Sequence, residues 1–352
     1  MTAPVTRRLL AALTLVALAV LAAACATDPV DDGARTAARA TGQPEQPATT
    51  ASAPGGDTDP ATDTTEASTP AESTTTTTAP LSPAELPPPG SAAEFIAAID
   101  EAELAVRDPD LTAAELDAWG RRQQRLYRVL AANDGWVPEV LAGADPAIRD
   151  AVAGNWDART NLTSLIDTEE LHDELPAWRV VDPLPAETLL AHYRRGEAEW
   201  GIAWEFLAAI NLVETRMGRI QGVSTAGALG PMQFLPTTWA ECCDGDPTNP
   251  ADAIVGAAKY LTIRGGPENM PKALWGYNNS DYYVNAVTAY AEVMMADERA
   301  YHGYHAWEIY FRSTEGLIRI PVGYEQAAPI PAADWLADHP EDLLSADDPA
   351  EG

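Results

Sequence analysis

Cysteine is scarce: Cys25, Cys242 and Cys243 are the whole complement of the 352 residues. Two adjacent cysteines with no Cys or His partner nearby exclude a zinc-ligand spacing. The five histidines, His172, His192, His302, His305 and His339, share no helix face at ligand spacing and receive no role. Positive charge is also short, with 22 Lys and Arg against 53 Asp and Glu and a net charge of −31. That balance argues against nucleic acid and anionic membrane surfaces as electrostatic partners. Residues 28–90 lack nearly all aromatic and branched apolar side chains and are rich in Thr, Ala, Pro, Ser and Asp. Such a segment cannot bury enough surface to offset the entropy of ordering it. Residues 25–90 therefore read as a disordered tether with a mean reach of roughly 45 Å. The apolar run from Leu9 to Ala24 is too short for a comfortable membrane span, and its basic flank, Arg7 and Arg8, marks residues 1–24 as an export signal.

Leu21-Ala22-Ala23-Ala24-Cys25 resembles a bacterial lipobox. The resemblance implies cleavage before Cys25, a lipid on its sulfur, and a lipoprotein held at the outer face of the membrane in the cell envelope. The leucine stands one position earlier than usual, so export without a lipid is the competing reading. In an oxidising compartment Cys242 and Cys243 have three fates: a disulfide between neighbours, two free thiols, or an intermolecular bridge.

From Ser91 onward the pattern is mainly α. Phe95, Ile96 and Ile99, then Leu116, Trp119, Leu126, Tyr127 and Leu130, recur at helical spacing, and Pro138, Pro146 and Pro176 divide the region. Residues 91–184 read as a helical accessory region, or else as an extension of the unit beyond Leu184. That second unit spans 185–324, with helices expected over Pro185–Trp200, Gly201–Met217, Pro236–Glu241, Asp252–Leu261 and Asp281–Ala296. Glu308–Arg312 and Leu317–Val322, separated by Ser313-Thr314-Glu315-Gly316, read as a small C-terminal β-hairpin. The acidic tail, 325–352, reads as loose; eight carboxylates and no Lys or Arg follow Arg319.

Glu214 stands at the end of the second of these helices. Its face carries Ala203, Leu207 and Ile210, so the carboxyl group sits at the end of an apolar stripe. Apolar surroundings disfavour ionisation and raise a carboxyl pKa, which is what a general acid needs near neutral pH. About ten residues later comes a glycine-rich loop, Ser224 to Phe234, in which Gly227 and Gly230 permit positive φ or close backbone approach. No second carboxylate stands out in this loop or in the block Tyr277-Asn278-Asn279-Ser280-Asp281-Tyr282-Tyr283-Val284; Asp281 reads as an N-terminal helix cap. Asp244-Gly245-Asp246-Pro247-Thr248-Asn249 has oxygen ligands at odd spacing, but an EF-hand needs a glutamate where Val255 stands. It reads as a turn whose Asn249 caps the next helix, and no metal or cofactor is expected.

Three blocks together, Val213-Glu214-Thr215-Arg216-Met217-Gly218, Ser224 to Phe234 and Tyr277 to Val284, resemble the lysozyme-like domain of bacterial lytic transglycosylases. The first and third look most like the membrane-bound lytic transglycosylase B group, and the loop is shared with the soluble lytic transglycosylases. The resemblance covers about a quarter of the chain, Ile202 to Tyr290. It implies that Glu214 protonates the bond between N-acetylmuramic acid and N-acetylglucosamine in peptidoglycan glycan strands. The same group then accepts the proton of the sugar's C6 hydroxyl, which attacks C1 and closes a 1,6-anhydro ring. An internal nucleophile removes the need for the second carboxylate of ordinary glycosidases. The resemblance also implies that Ser224, Gln233, Tyr277 and Asn278 line the cleft and bind the sugar. Gln233 has an independent argument, since an amide between Met232 and Phe234 has little reason to be there in plain core. Ser224 as a turn residue and Tyr277 with Asn278 as a buried aromatic beside a turn are the alternatives. Rival functions are a hydrolytic muramidase and a non-catalytic wall-binding lipoprotein.

Overall fold

Side-chain oxygens at Ser91, Thr112, Asn249 and Asn269 accept from free N–H groups and start four of the helices. Thr112 and Glu115 cap each other reciprocally. Gly201 and Gly265, at φ 73° and 114°, end two helices in the left-handed region, the second being the one that Asn249 starts. These signals frame the computed structural model, which describes residues 81–165, 171–224 and 226–344. The export signal, Cys25, nearly all of the tether and Thr225 lie outside the described residues.

A 3₁₀ turn, Pro83–Glu85, precedes α1 (Ala92–Val106), α2 (Ala113–Ala132), α3 (Val137–Gly143) and α4 (Arg149–Leu165). Two short strands follow, β1 (Glu174–Leu175) and β2 (Arg179–Val180). Then come α5 (Ala186–Trp200), α6 (Trp204–Thr215), β3 (Ile220–Gln221), α7 (Pro236–Cys242), α8 (Pro250–Arg264), α9 (Met270–Tyr277), α10 (Asp281–Ala296) and α11 (Ala300–His305). The chain closes with β4 (Ile309–Ser313), β5 (Gly316–Ile320), β6 (Ile330–Pro331) and α12 (Ala332–Asp338). The architecture is mainly α, as the periodicity implies, and β4 pairs with β5 in the expected hairpin, Ile309 opposite Ile320.

Helix α10 organises the main core, packing on α4 along one side and α6 on another. A single apolar cluster takes in Phe95 and Ile99 of α1, Leu126 and Leu130 of α2, Val152 of α4, Leu207 and Ile210 of α6, and Val287 of α10. Residues 91–165 are thus a layer of the core that carries Glu214, not a body with a core of its own. A buried polar knot fastens this layer. The Glu103 carboxylate accepts from Tyr127, from Gln123 at 3.0 Å and from Asn155 at 3.3 Å, and pairs with Arg107. Tyr304 of α11 donates to Asn155 at 2.7 Å.

Two expectations need correction. The last ten tether residues, 81–90, are held on α2: Arg122 donates to the Leu86 carbonyl at 2.8 Å and Arg125 to that of Ala84. Beyond Tyr324 the chain is not loose as far as Leu344. β6 pairs antiparallel with β1, and Asp342, 1% exposed, accepts from Arg319 at 2.9 Å and Trp335 at 3.1 Å. A second apolar cluster, including Leu175, Trp178, Phe311 and Tyr324, makes this ordering worthwhile.

Candidate active site

α6 ends in a sharp turn. Arg216, Met217 and Gly218 follow one another at φ 53°, 60° and 82°. Such a run for two non-glycine residues is held by its surroundings. Thr215 supplies part of that hold, its hydroxyl accepting from the Gly218 N–H at 3.1 Å. The same hydroxyl and the Asn211 amide each donate to the Pro231 carbonyl at 2.7 Å. Asn211 in turn accepts from Tyr193 of α5 at 2.7 Å. This buried network clamps the glycine-rich loop to the helix that bears Glu214.

The loop is a tight reversal. Leu229 and Phe234 exchange backbone hydrogen bonds of 2.8 and 2.9 Å. Gly230, at φ 73°, has no room for a Cβ, which would fall 1.8 Å from the Pro247 carbonyl oxygen. Gln233 sits at φ 50° and donates to the Gly230 carbonyl at 2.8 Å, while its own buried Oε1 has no partner among the described residues. Ser224 accepts from the Ala228 N–H at 2.9 Å, so its hydroxyl closes the start of the loop. That bond matches the turn reading of Ser224.

Glu214 is 8% exposed. Its Oε1 accepts from the Tyr283 hydroxyl of α10 at 2.8 Å. Burial pushes its pKa from 4.5 up to about 8, and the Tyr283 bond holds it back only in part. Burial and a Glu214 neighbour together drive the Tyr283 hydroxyl well above its ordinary pKa, so it stays a donor. Tyr277 lies parallel to Tyr283, ring centres 6.3 Å apart, and donates to the Met232 carbonyl at 2.6 Å. Phe234 meets Trp239, Tyr260 and Tyr277 edge-on, fixing the loop against α7, α8 and α9. Asn278 is buried, and its Oδ1 is a second acceptor with no partner among the described residues.

The fold therefore joins Glu214 to Tyr283, and ties Tyr277 to the loop that holds Gln233. Tyr283 lies in the Tyr277–Val284 block, but nothing in the sequence marks it as the partner of Glu214. Its identity as the partner depends on α10 crossing α6. Asp281 is not the cap expected of it: Ser280 occupies that position in extended backbone, and Asp281 is the first helical residue and exposed. Cys242 and Cys243 are bonded to each other at the end of α7. In the Asp244–Asn249 loop the oxygens have local partners. Asn249 caps α8, Asp246 accepts from Thr248, and Asp244 pairs with Lys259 at 3.2 Å.

The fold thus supplies one buried carboxylic acid at the end of an apolar helix, a loop clamped to that helix, and two buried amide oxygens, of Gln233 and Asn278, with no partner among the described residues. Residues 193–296 match the Transglycosylase SLT domain. The match begins inside α5, ends with α10, and contains Glu214, the glycine-rich loop and the Tyr277–Tyr283 block. The SLT domain is lysozyme-like, in agreement with the helical architecture, and its members are lytic transglycosylases that act on peptidoglycan. No curated protein and no solved structure matches the chain.

Proposed function

We propose that this protein cleaves the β-1,4 bond between N-acetylmuramic acid and N-acetylglucosamine without water, leaving 1,6-anhydro ends. The observation that carries this reading is the state of Glu214: buried, pKa raised to about 8, and perturbed by burial and Tyr283 rather than by a second carboxylate. At neutral pH such a group is a loaded acid. Glu214 gives its proton to the glycosidic oxygen as the bond to C1 breaks. The resulting carboxylate then takes the proton of the C6 hydroxyl as that oxygen bonds to C1. Tyr283 steadies both states, since a hydroxyl donor serves an acid carbonyl and a carboxylate alike.

Gln233 and Asn278, with free buried acceptors, suit the N–H groups of N-acetyl sugars; Ser224 and Tyr277 shape the loop around them. The Glu-Thr-x-x-Gly start and the Tyr-Asn block favour the membrane-bound B group. The lipobox at Cys25 supports an envelope lipoprotein whose tether lets the domain search the wall. Digestion of purified peptidoglycan, read by mass spectrometry, tests the chemistry. Anhydro-muramic ends that vanish in Glu214→Gln support it. Reducing ends would make the enzyme a hydrolytic muramidase, and lysis unchanged by the substitution would remove Glu214 as the catalyst.

A further inference from the structure

A groove of about 600 Å³ is lined by Leu229 to Pro231 of the glycine-rich loop, and neither Glu214, Gln233, Tyr277, Asn278 nor Tyr283 is among its lining residues. Its walls include Leu189, Met217, Leu229, Pro231 and Pro250, and four consecutive residues, Ile220 to Val223, line one side. These four belong to β3 and its continuation. β3 is an outer strand: β2 pairs with it on one side and with the Gly323–Gln326 segment on the other. Val180 directs both backbone groups to that segment, its N–H to Tyr324 at 2.8 Å and its carbonyl to Gly323 at 2.9 Å. Val180 and Ile220 are thus a non-hydrogen-bonded pair, and Ile220 turns its N–H and carbonyl away from β2. Trp178, opposite Gly222, likewise spends its carbonyl on Gln326 and its N–H on Pro176. Among the described residues, neither Ile220 nor Gly222 has a partner for its outward N–H.

An open strand edge beside an apolar groove is a seat for an extended peptide: the edge supplies backbone bonds and the groove takes side chains. Charge narrows the occupant. Asp182 is the one charged residue among the described groove residues, and it is exposed. It therefore favours a peptide carrying an ammonium group. Position narrows it further. Leu229 to Pro231 wall the groove, while the next residue, Met232, accepts from Tyr277 at the candidate active site. A peptide attached to a sugar in that site needs to pass only this loop, and four extended residues reach about 13 Å.

We propose that this groove binds the stem peptide of peptidoglycan, pairing with the Ile220–Gly222 edge and placing the ammonium of its diamino acid at Asp182. The choice of occupant rests on the peptidoglycan reading of the active site; the groove and the free edge do not. The site makes the enzyme a reader of glycan that still carries its peptides.

Titration of the full chain with the synthetic peptide L-Ala-γ-D-Glu-L-Lys-D-Ala, followed by calorimetry, tests this. Wild type and Glu214→Gln should bind it alike. Val223→Glu places a charge at an exposed groove position and should weaken binding more than about tenfold. Replacing the lysine by norleucine should weaken binding to wild type about threefold and leave Asp182→Asn indifferent to the change. Thermal melts check that both variants fold, and the Asp182 cycle stands even if Val223→Glu does not. No binding to wild type, equal losses from norleucine in wild type and Asp182→Asn, or equal binding of all-L Ala-Glu-Lys-Ala would each overturn the proposal. The last would make the groove a seat for a protein strand. Failure of the catalytic reading looks different: peptide bound as expected, with no glycan cut by wild type.

Discussion

Replacing Glu214 by Gln isolates the free energy of keeping a carboxyl group in an apolar setting. In the unfolded chain the group ionises near 4.5, whereas in the fold it holds its proton up to about 8. Below 4.5 both states are neutral and the group adds nothing that depends on pH. Between the two values the unfolded chain releases a proton that the folded protein retains, so stability falls as pH rises. At about 1.4 kcal/mol per pH unit, the whole interval comes to roughly 5 kcal/mol. Gln has the same shape, keeps an oxygen for the Tyr283 hydroxyl, and cannot ionise. Urea unfolding of both proteins from pH 4 to pH 9 gives the difference directly, because every other titrating group is common to the two. The Glu214→Gln protein should gain steadily on wild type above pH 4.5 and hold a constant advantage beyond about pH 8. Stability curves that stay parallel across that range would show that Glu214 ionises normally in the fold and would refute the argument from burial.

The same proton governs rate, so kcat/KM on peptidoglycan should fall about tenfold per pH unit above about pH 8 in wild type. Tyr283→Phe removes the bond that holds the Glu214 pKa down and should move that alkaline limb upward by about half to one pH unit, while lowering the maximal rate. Gly230→Ala drives a Cβ into the Pro247 carbonyl oxygen and should cost more than about 3 kcal/mol, measured by thermal unfolding. Gly227→Ala, at φ 82° with nothing within 4 Å, should cost only the 1–2 kcal/mol or so of a left-handed Ala. Equal losses at the two glycines would show that the close approach at Gly230 is not what requires glycine there. Cys25→Ser should move the protein from the membrane fraction to the soluble one, and an unchanged distribution would remove the lipid anchor.

What was legible in the chain is what local chemistry dictates. The apolar spacing of α10 gave both of its ends, Asp281 and Ala296, and the stripe along α6 predicted that Glu214 would resist ionisation. Caps are less secure. Ser280 and Asp281 are both good N-terminal residues, and the choice between them fell to backbone dihedrals, Ser280 lying in the extended region at φ −142° and ψ 129°. The ordering of residues 330–344 was hidden for a different reason. Its partners, β1 and Arg319, are distant or themselves unremarkable, and acidity alone resembles solvated tail. Residues 91–165 showed helices but not their destination, because an amphipathic face records that something covers it and not what.

The sequence by itself determined that the protein is mainly helical, that Glu214 ends an apolar helix, and that a glycine-rich loop and a tyrosine block come after it. These are properties of neighbours, written in spacing and residue type. Tertiary structure alone decided that Tyr283, 69 residues away, holds the Glu214 carboxyl group, that Asn211 and Thr215 clamp the loop through Pro231, and that β3 is left with an open edge. Each of those depends on which helices and strands cross, and crossing is settled by the collective burial of the core, a quantity that no short stretch of residues contains.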